Sequence, residues 1–284
     1  MQRIDSLDDP RVAPYCNLRD RTLRGANIFI AEGPIVVRRL LESRYQTESV
    51  LVASERAEQF AYVVGRRTPL YVADEKLIRR IVGFPFHLGV LAVGRREPLP
   101  SVEELLTNVL TAHTPEPAGQ SDSAATGALG PARLVVCPEI TKPENMGLVC
   151  RSAAAFGIDA VLLGARCCDP LARRALRVSM GATVHVPLAR SADLPADLAW
   201  LKRHFGFQLI AATIAPDAEN ITRFRWPRRS ALLVGNEFTG LGEECLRLCD
   251  RKVTIPMHPA VDSLNLGVAA GICMYAMTTA GRQP

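Results

Sequence analysis

Short apolar runs recur along the chain, and segments with helical spacing separate them. In the second half, apolar runs bounded by Gly, Pro or charged residues predict strands near 133–137, 159–163, 184–187, 207–213, 231–235 and 252–256. The segment after the first of these strands is rich in small residues, and Gly157 is a typical helix stop. Strands that alternate with helices predict βα units and a parallel sheet, so we expect an α/β fold.

The first half has the same alternation in shorter pieces. Its predicted elements are strands near 27–31, 49–53, 69–72 and 88–93, and helices over about 34–42 and 75–82. Between the halves, residues 111–131 are small, polar and rich in Pro, Gly and Ser, which is typical of a linker. The predicted organisation is therefore a first domain, a linker and a second domain over 1–98, 99–131 and 132–284.

The charge balance adds an expectation about the partner. The formal net charge is +5, and residues 1–98 carry 16 Lys and Arg against 12 Asp and Glu, whereas the rest of the chain carries 18 against 17. Such an excess suits an anionic partner. The basic residues of the first domain form either solvated faces or a phosphate-tracking surface, and they include Arg19, Arg21, Arg24 and the doublets Arg38-Arg39, Arg66-Arg67, Arg79-Arg80 and Arg95-Arg96. The domain has few aromatic residues, which favours recognition of shape and backbone over base stacking.

Other features of the composition narrow the class of protein. No apolar run reaches the ~18 residues of a membrane span, and the polar start of the chain has no signal-peptide core. The eight Cys residues form no Cys-x-x-Cys pair. They suit small core positions in a reducing cytosol better than a zinc site. We therefore expect a cytoplasmic protein with neither a membrane segment nor a metal.

Polar residues open an otherwise apolar helix near the C terminus. The apolar run that ends at Ile255-Pro256-Met257 leads through a turn to Ser263-Leu264-Asn265, and the following residues are small or apolar. Ser and Asn are good helix caps. A polar pair in apolar surroundings is costly unless it is satisfied or used, so a binding site is the second interpretation.

Two further segments suggest a site. Gly235-Asn236-Glu237 follows a buried strand, and Gly235 would allow a ligand or another backbone to approach closely. Glu237 either complements a helix dipole or lies at the sheet edge where open α/β sheets bind ligands. Asn145 is a candidate helix cap. Arg151, six residues later among small residues, either extends to solvent or contacts a phosphate.

Together these segments resemble the three signature motifs of the SpoU (TrmH) RNA 2′-O-ribose methyltransferases of the SPOUT superfamily. The motifs are Asn-x-Gly-x-x-x-Arg, then Gly-Asn-Glu-x-x-Gly-Leu, then Ile-Pro-Met followed by Ser-Leu-Asn. The matching residues are, in order, Asn145, Gly147 and Arg151; Gly235, Asn236, Glu237, Gly240 and Leu241; and Ile255, Pro256, Met257, Ser263, Leu264 and Asn265. The resemblance covers about residues 133–280 and includes the segment 179–187.

The resemblance implies a fold, a cofactor and a partner. It implies a deep trefoil knot in the parallel-sheet domain and a homodimer whose sites draw on both subunits. It implies that S-adenosylmethionine is held at Gly235, Ile255, Leu264 and, more weakly, Thr213. Arg151 would be the central catalytic residue, and the residues that position it and the ribose would be Asn145, Glu237, Ser263 and Asn265.

The first domain resembles the small α/β RNA-binding domain of ribosomal-protein type that precedes many rRNA-modifying SpoU enzymes. The phrases Phe29-Ile30-Ala31-Glu32-Gly33 and His87-Leu88-Gly89-Val90-Leu91-Ala92 carry this likeness. The expected substrate is therefore structured RNA, with rRNA favoured over tRNA.

One departure and two alternatives accompany this interpretation. Leu266-Gly267 stands where the family usually has Val-Ser, and the glycine would suit a close helix–helix contact. A non-catalytic knotted RNA-binding protein that assists ribosome assembly is the first alternative. A Rossmann oxidoreductase is the second, but Cys245 occupies the third glycine position of the possible Gly-x-Gly-x-x-Gly loop at Gly240.

Overall fold

A computed structural model describes residues 1–18, 27–112 and 130–279. Arg19, Arg21, Arg24 and most of the predicted linker lie outside these residues. The strands are β1 (Gln2–Arg3), β2 (Ile28–Glu32), β3 (Thr47–Ala53), β4 (Leu70–Ala73), β5 (Val90–Arg95), β6 (Ala132–Cys137), β7 (Ala160–Leu163), β8 (Leu188–Arg190), β9 (Gln208–Ala212), β10 (Glu219–Asn220), β11 (Arg229–Leu233) and β12 (Arg251–Thr254). The α-helices are α1 (Pro34–Leu41), α2 (Ala57–Val64), α3 (Glu75–Val82), α4 (Val102–Ala112), α5 (Pro143–Phe156), α6 (Arg173–Val178), α7 (Leu194–Phe205), α8 (Glu243–Leu248) and α9 (Leu266–Thr279).

The chain divides into two compact units. The first comprises Met1–Pro98 and Asp169–His185, and the second comprises Leu99–Cys168 and Val186–Pro284. In the first unit the strand order is β1-β4-β3-β5-β2, in which β3 pairs parallel with β4 and antiparallel with β5. This mixed sheet is packed on both faces, because apolar residues of β2, β3, β4 and β5 contribute alternately to core clusters on one side and the other.

In the second unit the strand order is β10-β12-β9-β11-β6-β7-β8, and all neighbouring strands of the described sheet pair in parallel. The central strands are continuous apolar runs such as Ala231-Leu232-Leu233, as expected for a parallel sheet covered on both faces. The predicted α/β class and the parallel sheet of the second domain are confirmed. The trefoil knot stays a prediction.

One predicted strand is wrong. Residues 184 and 185 end a 3-10 helix over Ala182–His185, residues 186 and 187 lie outside any helix or strand, and the strand of this region is β8. Met180 and Gly181 both have positive φ angles, 54° and 81°, so the chain turns sharply before Ala182. The backbone N–H of Val184 then donates to the carbonyl of Gly181 instead of to a neighbouring strand.

The predicted linker 99–131 also needs correction, because its first part is the helix α4. The helix starts with a capping box in which Glu104 N donates to Ser101 Oγ and Ser101 N donates to Glu104 Oε2. Val102, Leu105 and Leu106 recur at helical spacing and are buried in the core of the second unit. This helix is therefore part of the second unit's packing.

The boundary of the second domain differs from the prediction as well. Residues 169–185, which fall inside the predicted 132–284 domain, group with the first unit. Leu171, Leu176 and Val184 are buried in the same core cluster as the residues of β2, β3 and α1. Arg96 also pairs with Asp169 through two hydrogen bonds of 2.8 Å each. In the part of the chain that the structure describes, no helix is long and apolar enough to cross a membrane.

Candidate active site

Four adjacent strands, β12-β9-β11-β6, end at one edge of the second unit's sheet. Thr213 follows β9, Gly235 stands two residues after β11, and Ile255 follows β12. The chain that leaves β6 enters α5, which carries Asn145. Because the carboxyl ends of parallel strands meet at the same edge, residues that are far apart in the sequence come together there.

These residues line a pocket of about 600 Å³. All four residues predicted to hold the cofactor and four of the five predicted catalytic residues contribute to its walls, namely Thr213, Gly235, Ile255, Leu264, Asn145, Glu237, Ser263 and Asn265. Ile255 and Leu264 are half-buried in the wall, and Ser263 is exposed. The volume is in the range of ordinary small-molecule sites.

A chain of hydrogen bonds joins the three motifs. Asn265 Nδ2 donates to Asn145 Oδ1 over 2.9 Å, and Asn145 Nδ2 donates to Glu237 Oε1 over 2.7 Å. Thr141 Oγ1 donates to the other carboxylate oxygen of Glu237 over 3.4 Å. Only 3% of Asn145 is exposed, so its amide depends on these two partners.

The carboxylate of Glu237 is held in its ionised form. Burial raises its pKa, but the hydrogen bond from Asn145 and backbone N–H groups, including those of Thr141 and Lys142, outweigh this effect and lower the pKa below its ordinary value. A carboxylate with this many donors is a poor proton acceptor near neutral pH. Its hydrogen bond from Asn145 Nδ2 sets the orientation of that amide.

Asn265 is both a helix cap and a member of the hydrogen-bond chain. Its Oδ1 accepts from the backbone N–H groups of Gly267 and Val268 over 2.9 and 3.3 Å, which caps α9, while its Nδ2 faces Asn145. The helix-cap interpretation of Asn265 is therefore confirmed, and its part in a binding site stays a prediction. The predicted cap at Asn145 is wrong, because α5 begins at Pro143 and its N-cap is Lys142.

Gly235 is required by its own turn. A Cβ at this position would lie 2.4 Å from the carbonyl carbon of Gly240 and 2.5 Å from the nitrogen of Leu241. Two backbone hydrogen bonds between Asn236 and Gly240 close the turn beside it. The close approach expected at Gly235 is thus made by another backbone, and the turn that results presents Glu237 to the pocket.

Arg151 lies on a different face of α5 from Asn145. Six residues advance an α-helix by about 600°, which separates the two side chains by about 120° around the axis. Arg151 is exposed and does not line the pocket. The exposed surface of the neighbouring helix α9 is apolar, with Val268, Ile272 and Tyr275 exposed at 49%, 37% and 57%.

Lys142 and Phe238 are among the pocket residues that the sequence analysis did not identify. Lys142 Nζ lies 4.8 Å from the ring centroid of Phe238, and both residues line the pocket. The sequence did contain a signal for Phe238, because a large apolar residue stands there among the polar residues of a Gly-bounded turn. If such a turn lies at the surface, this side chain cannot be buried in the core.

The cysteines are all free thiols, and Cys137, Cys150, Cys167 and Cys273 are buried. Burial raises the pKa of the Cys273 thiol to about 12, which suits a core position. Among the residues that the structure describes, no three His, Cys, Asp or Glu side chains form a group that could hold a metal ion.

The family of the chain follows from comparison with known proteins. Residues 132–275 match the SpoU rRNA Methylase family. The chain is 37% identical to an uncharacterised tRNA/rRNA methyltransferase of Mycobacterium tuberculosis (strain CDC 1551 / Oshkosh) over 99% of its own length and 93% of that protein. The chain belongs to the SpoU rRNA methylase family. The family expected from the three motifs is therefore confirmed.

Other relatives of this SpoU methylase carry more specific names. It is 30% identical to the 23S rRNA (guanosine-2′-O-)-methyltransferase RlmB of Acinetobacter baylyi over 78% of the chain and 80% of that protein. The crystal structure of an AdoMet-bound rRNA methyltransferase from Sinorhizobium meliloti matches with a TM-score of 0.77, 23% identity, and coverage of 100% of this chain and 99% of that one. At this identity the second match establishes the shared fold alone.

Proposed function

We propose that this SpoU methylase transfers a methyl group from S-adenosylmethionine to a ribose 2′-hydroxyl in structured RNA, with rRNA as the substrate class. The observation that carries the proposal is the hydrogen-bond chain Asn265–Asn145–Glu237 beside the pocket at the sheet edge. Family membership supports methyl transfer, and the name of the RlmB relative supports rRNA and the 2′-oxygen.

The pocket fits the proposed cofactor. It has about 600 Å³ of space and a wall that includes the backbone of the turn at Gly235 and the half-buried side chains of Ile255 and Leu264. Such a wall suits an apolar ring system with polar edges. Thr213, next to β9, adds a hydroxyl to the same wall. When bound, S-adenosylmethionine supplies an electrophilic methyl group.

The protein's own residues orient the reacting hydroxyl. Asn145, Asn265 and Ser263 border the pocket and offer amide and hydroxyl groups to a ribose, while Glu237 keeps the Asn145 amide in one orientation. Arg151 grips an adjacent phosphate and polarises the 2′-hydroxyl, whose proton leaves to phosphate or water. An Arg side chain is too basic to accept that proton itself.

Arg151 reaches the site from a second copy of the chain. Arg151 lies outside its own pocket, and the exposed surface of α9 beside it is apolar, at Val268, Ile272 and Tyr275. A two-fold dimer through this surface would cover these side chains and bring the partner's Arg151 toward the pocket. We therefore propose a homodimer with sites made from both subunits.

Methyl transfer is tested with methyl-labelled S-adenosylmethionine and unmodified total RNA, followed by alkaline hydrolysis. The expected result is label in alkali-resistant dinucleotides from the rRNA fraction, because a 2′-O-methyl group blocks cleavage. Label in tRNA alone would contradict the substrate class. Absence of both label and cofactor binding would favour the non-catalytic RNA-binding alternative.

The shared site is tested by mixing two inactive variants, Arg151→Ala and Glu237→Ala. If each site uses Arg151 of one subunit and Glu237 of the other, half of the sites in a mixed dimer are intact. After random exchange of subunits, about a quarter of the wild-type activity returns. A site contained within one subunit would give no recovery, although both variants still dimerise in sedimentation.

A further inference from the structure

Phe238 is an exposed aromatic residue at the edge of the pocket. Its exposed fraction is 76%, and it stands in the turn that two hydrogen bonds between Asn236 and Gly240 close. Its own N–H donates to Asn236 Oδ1 over 2.8 Å. The next residue back, Glu237, faces Asn145, so Phe238 extends from the opposite side of the same turn. The ring is therefore exposed to solvent on a hydrogen-bonded turn beside the proposed reaction site.

A lysine accompanies this ring. Lys142 Nζ lies 4.8 Å from the ring centroid, within the distance of a cation–π contact. Thr141, the residue before Lys142, donates through Oγ1 to Glu237 Oε2 over 3.4 Å, which ties the start of α5 to the turn. A flat apolar surface and a positive charge thus lie next to each other.

This pair has the chemistry of a nucleotide contact. Aromatic rings bind unstacked bases of RNA through their faces, with little dependence on the base, and lysine binds phosphate. The pair borders the pocket that also contains Asn145, Asn265 and Ser263, where the ribose is proposed to bind. A nucleotide adjacent to that ribose would therefore lie close to the ring of Phe238.

We propose that Phe238 stacks on a base that flanks the methylated nucleotide and that Lys142 binds the phosphate beside it. The proposal rests on the proposed function. It adds that the substrate is unpaired next to the modified ribose, because a base inside a duplex cannot present its face to the ring. Recognition by stacking then supplements the shape recognition expected of the first unit.

The first test uses a defined probe, a 15-nucleotide oligoribonucleotide of mixed sequence with 2-aminopurine at its centre, single-stranded or annealed to its complement. Stacking on Phe238 quenches the 2-aminopurine emission. Removing a stacking side chain weakens binding by about 5- to 150-fold. We expect Phe238→Leu to lose the quenching and to bind the single strand at least about 5-fold more weakly, and Phe238→Trp to retain both properties.

Two controls keep the test specific. Thr239→Ala changes an exposed residue of the same turn that has no ring and is expected to bind the probe like the wild type. Binding of S-adenosylmethionine, measured by calorimetry, is expected to be equal in wild type and Thr239→Ala and to be retained in Phe238→Leu, which checks that the site of this variant is folded. With unmodified rRNA, Phe238→Leu is expected to raise KM and to leave kcat within a few-fold of the wild-type value.

Three results would overturn the proposal. Equal binding of the single-stranded probe by wild type and Phe238→Leu would show that Phe238 does not stack on a base. Equal binding of duplex and single strand by the wild type would show that the protein does not require an unpaired base. A change from dimer to monomer in Phe238→Leu would show that a second copy of the chain covers the ring. Failure of the proposed function looks different, because wild-type protein would then transfer no label to RNA.

Discussion

Asn145 occupies the middle of the site because its side chain has both kinds of hydrogen-bonding group. Its oxygen accepts from Asn265 and its nitrogen donates to Glu237. An ionised Asp could not donate, and an apolar residue of the same size would leave both neighbours without this partner. The type of residue at this position is therefore set by its two partners.

The substitution Asn145→Asp tests this arrangement. It replaces the donor with a second carboxylate about as close to Glu237 as the present 2.7 Å. Two carboxylates at this distance repel, so one of them binds a proton more tightly. We expect methyl transfer to fall by about 100-fold at pH 8 and to recover partly as the pH is lowered. The pH–rate profile measures this, and a profile parallel to that of Asn145→Ala would contradict it.

The ionisation of Glu237 predicts a dependence of stability on pH. Folding lowers the pKa of this carboxyl below its ordinary value of 4.5. Its stabilising contribution is therefore complete above that value and disappears as the pH falls through the lowered pKa of the folded state. We expect Glu237→Gln to have a lower Tm than wild type at pH 7, with the difference shrinking below pH 4.5. A difference that does not vary with pH would contradict this.

At this scale the sequence identified the residues of the site but not their contacts. The motifs pointed to Asn145, Glu237 and Asn265, yet the role of Asn145 as a bridge instead of a cap depends on Pro143, which starts the helix two residues earlier. The position of Arg151 outside the pocket depends on the phase of α5 relative to the sheet. Both the contacts of Asn145 and the position of Arg151 therefore depend on structure outside the motif.

At the scale of elements, the packing of α9 against α5 explains why this chain has Gly267 where the family motif has serine. A Cβ at Gly267 would lie 2.5 Å from Cβ of Leu148, where α9 crosses α5. One turn later, a Cβ at Gly271 would lie 3.2 Å from Ser152 Oγ. The two helices pack closely because these positions have no side chain, and this packing aligns Asn265 with Asn145.

Restoring the family's serine is therefore expected to be harmful here. Gly267→Ser would force α9 away from Leu148, and overpacking of this kind costs about 1–3 kcal/mol. Adding Leu148→Gly should cancel most of that loss relative to Leu148→Gly alone, because it also removes the Leu148 Cβ that would lie 2.5 Å from the new side chain. Urea unfolding of the two single variants and the double variant measures the coupling. Additive effects would contradict this explanation.

Local patterns predicted some elements well and others poorly. Helix α3 was predicted with its observed ends, because Asp74 caps it and Gly83 stops it in the left-handed region. Helix α4 was missed although Ser101 and Glu104 form a capping box, because its end runs into the Pro- and Gly-rich segment. The segment 184–187 was predicted as a strand, but it follows a tight turn at Met180 and Gly181 that composition does not reveal.

At the scale of the whole molecule, the boundary in the sequence is not the boundary in the fold. Asp169–His185 belongs to the first unit, although the family match runs through it from 132 to 275. Inside the first unit, the buried carboxylate of Glu32 lies 3.3 Å from Arg173 and 3.5 Å from Arg177. Burial lowers the pKa of Arg173, and Glu32 opposes this effect.

Removal of residues 1–98 is therefore expected to damage the rest of the protein. The truncated chain would expose Leu171, Leu176 and Val184 and would leave Arg173 without Glu32. We expect the truncated chain to be poorly soluble or to unfold at a much lower urea concentration than the full chain. Cooperative unfolding of the truncated chain at the midpoint of the full chain would contradict this.

The RNA binding that the basic residues predict for the first unit would depend on salt. Arg66 and Arg67 are exposed, whereas Arg39 donates to the carbonyl of Met180 and Arg96 pairs with Asp169. Replacing Arg66 and Arg67 with Ala should weaken binding to structured rRNA and reduce the slope of log K against log salt by about 2. Arg251→Ala is the matched control, since Glu219 pairs with this guanidinium. An unchanged slope in the double variant would contradict a phosphate contact here.

The divided first unit also sets an order of events on the ribosome. Its core cannot be completed when residue 98 has been synthesised, because His185, the last residue of its second piece, is made 87 residues later. At about 5–20 residues per second, this delay is roughly 4–17 seconds. During that time the faces of β2, β3 and α1 that later bury Leu171 and Leu176 remain uncovered on the nascent chain. We therefore expect a molecular chaperone that protects apolar surface to bind the nascent chain during this interval.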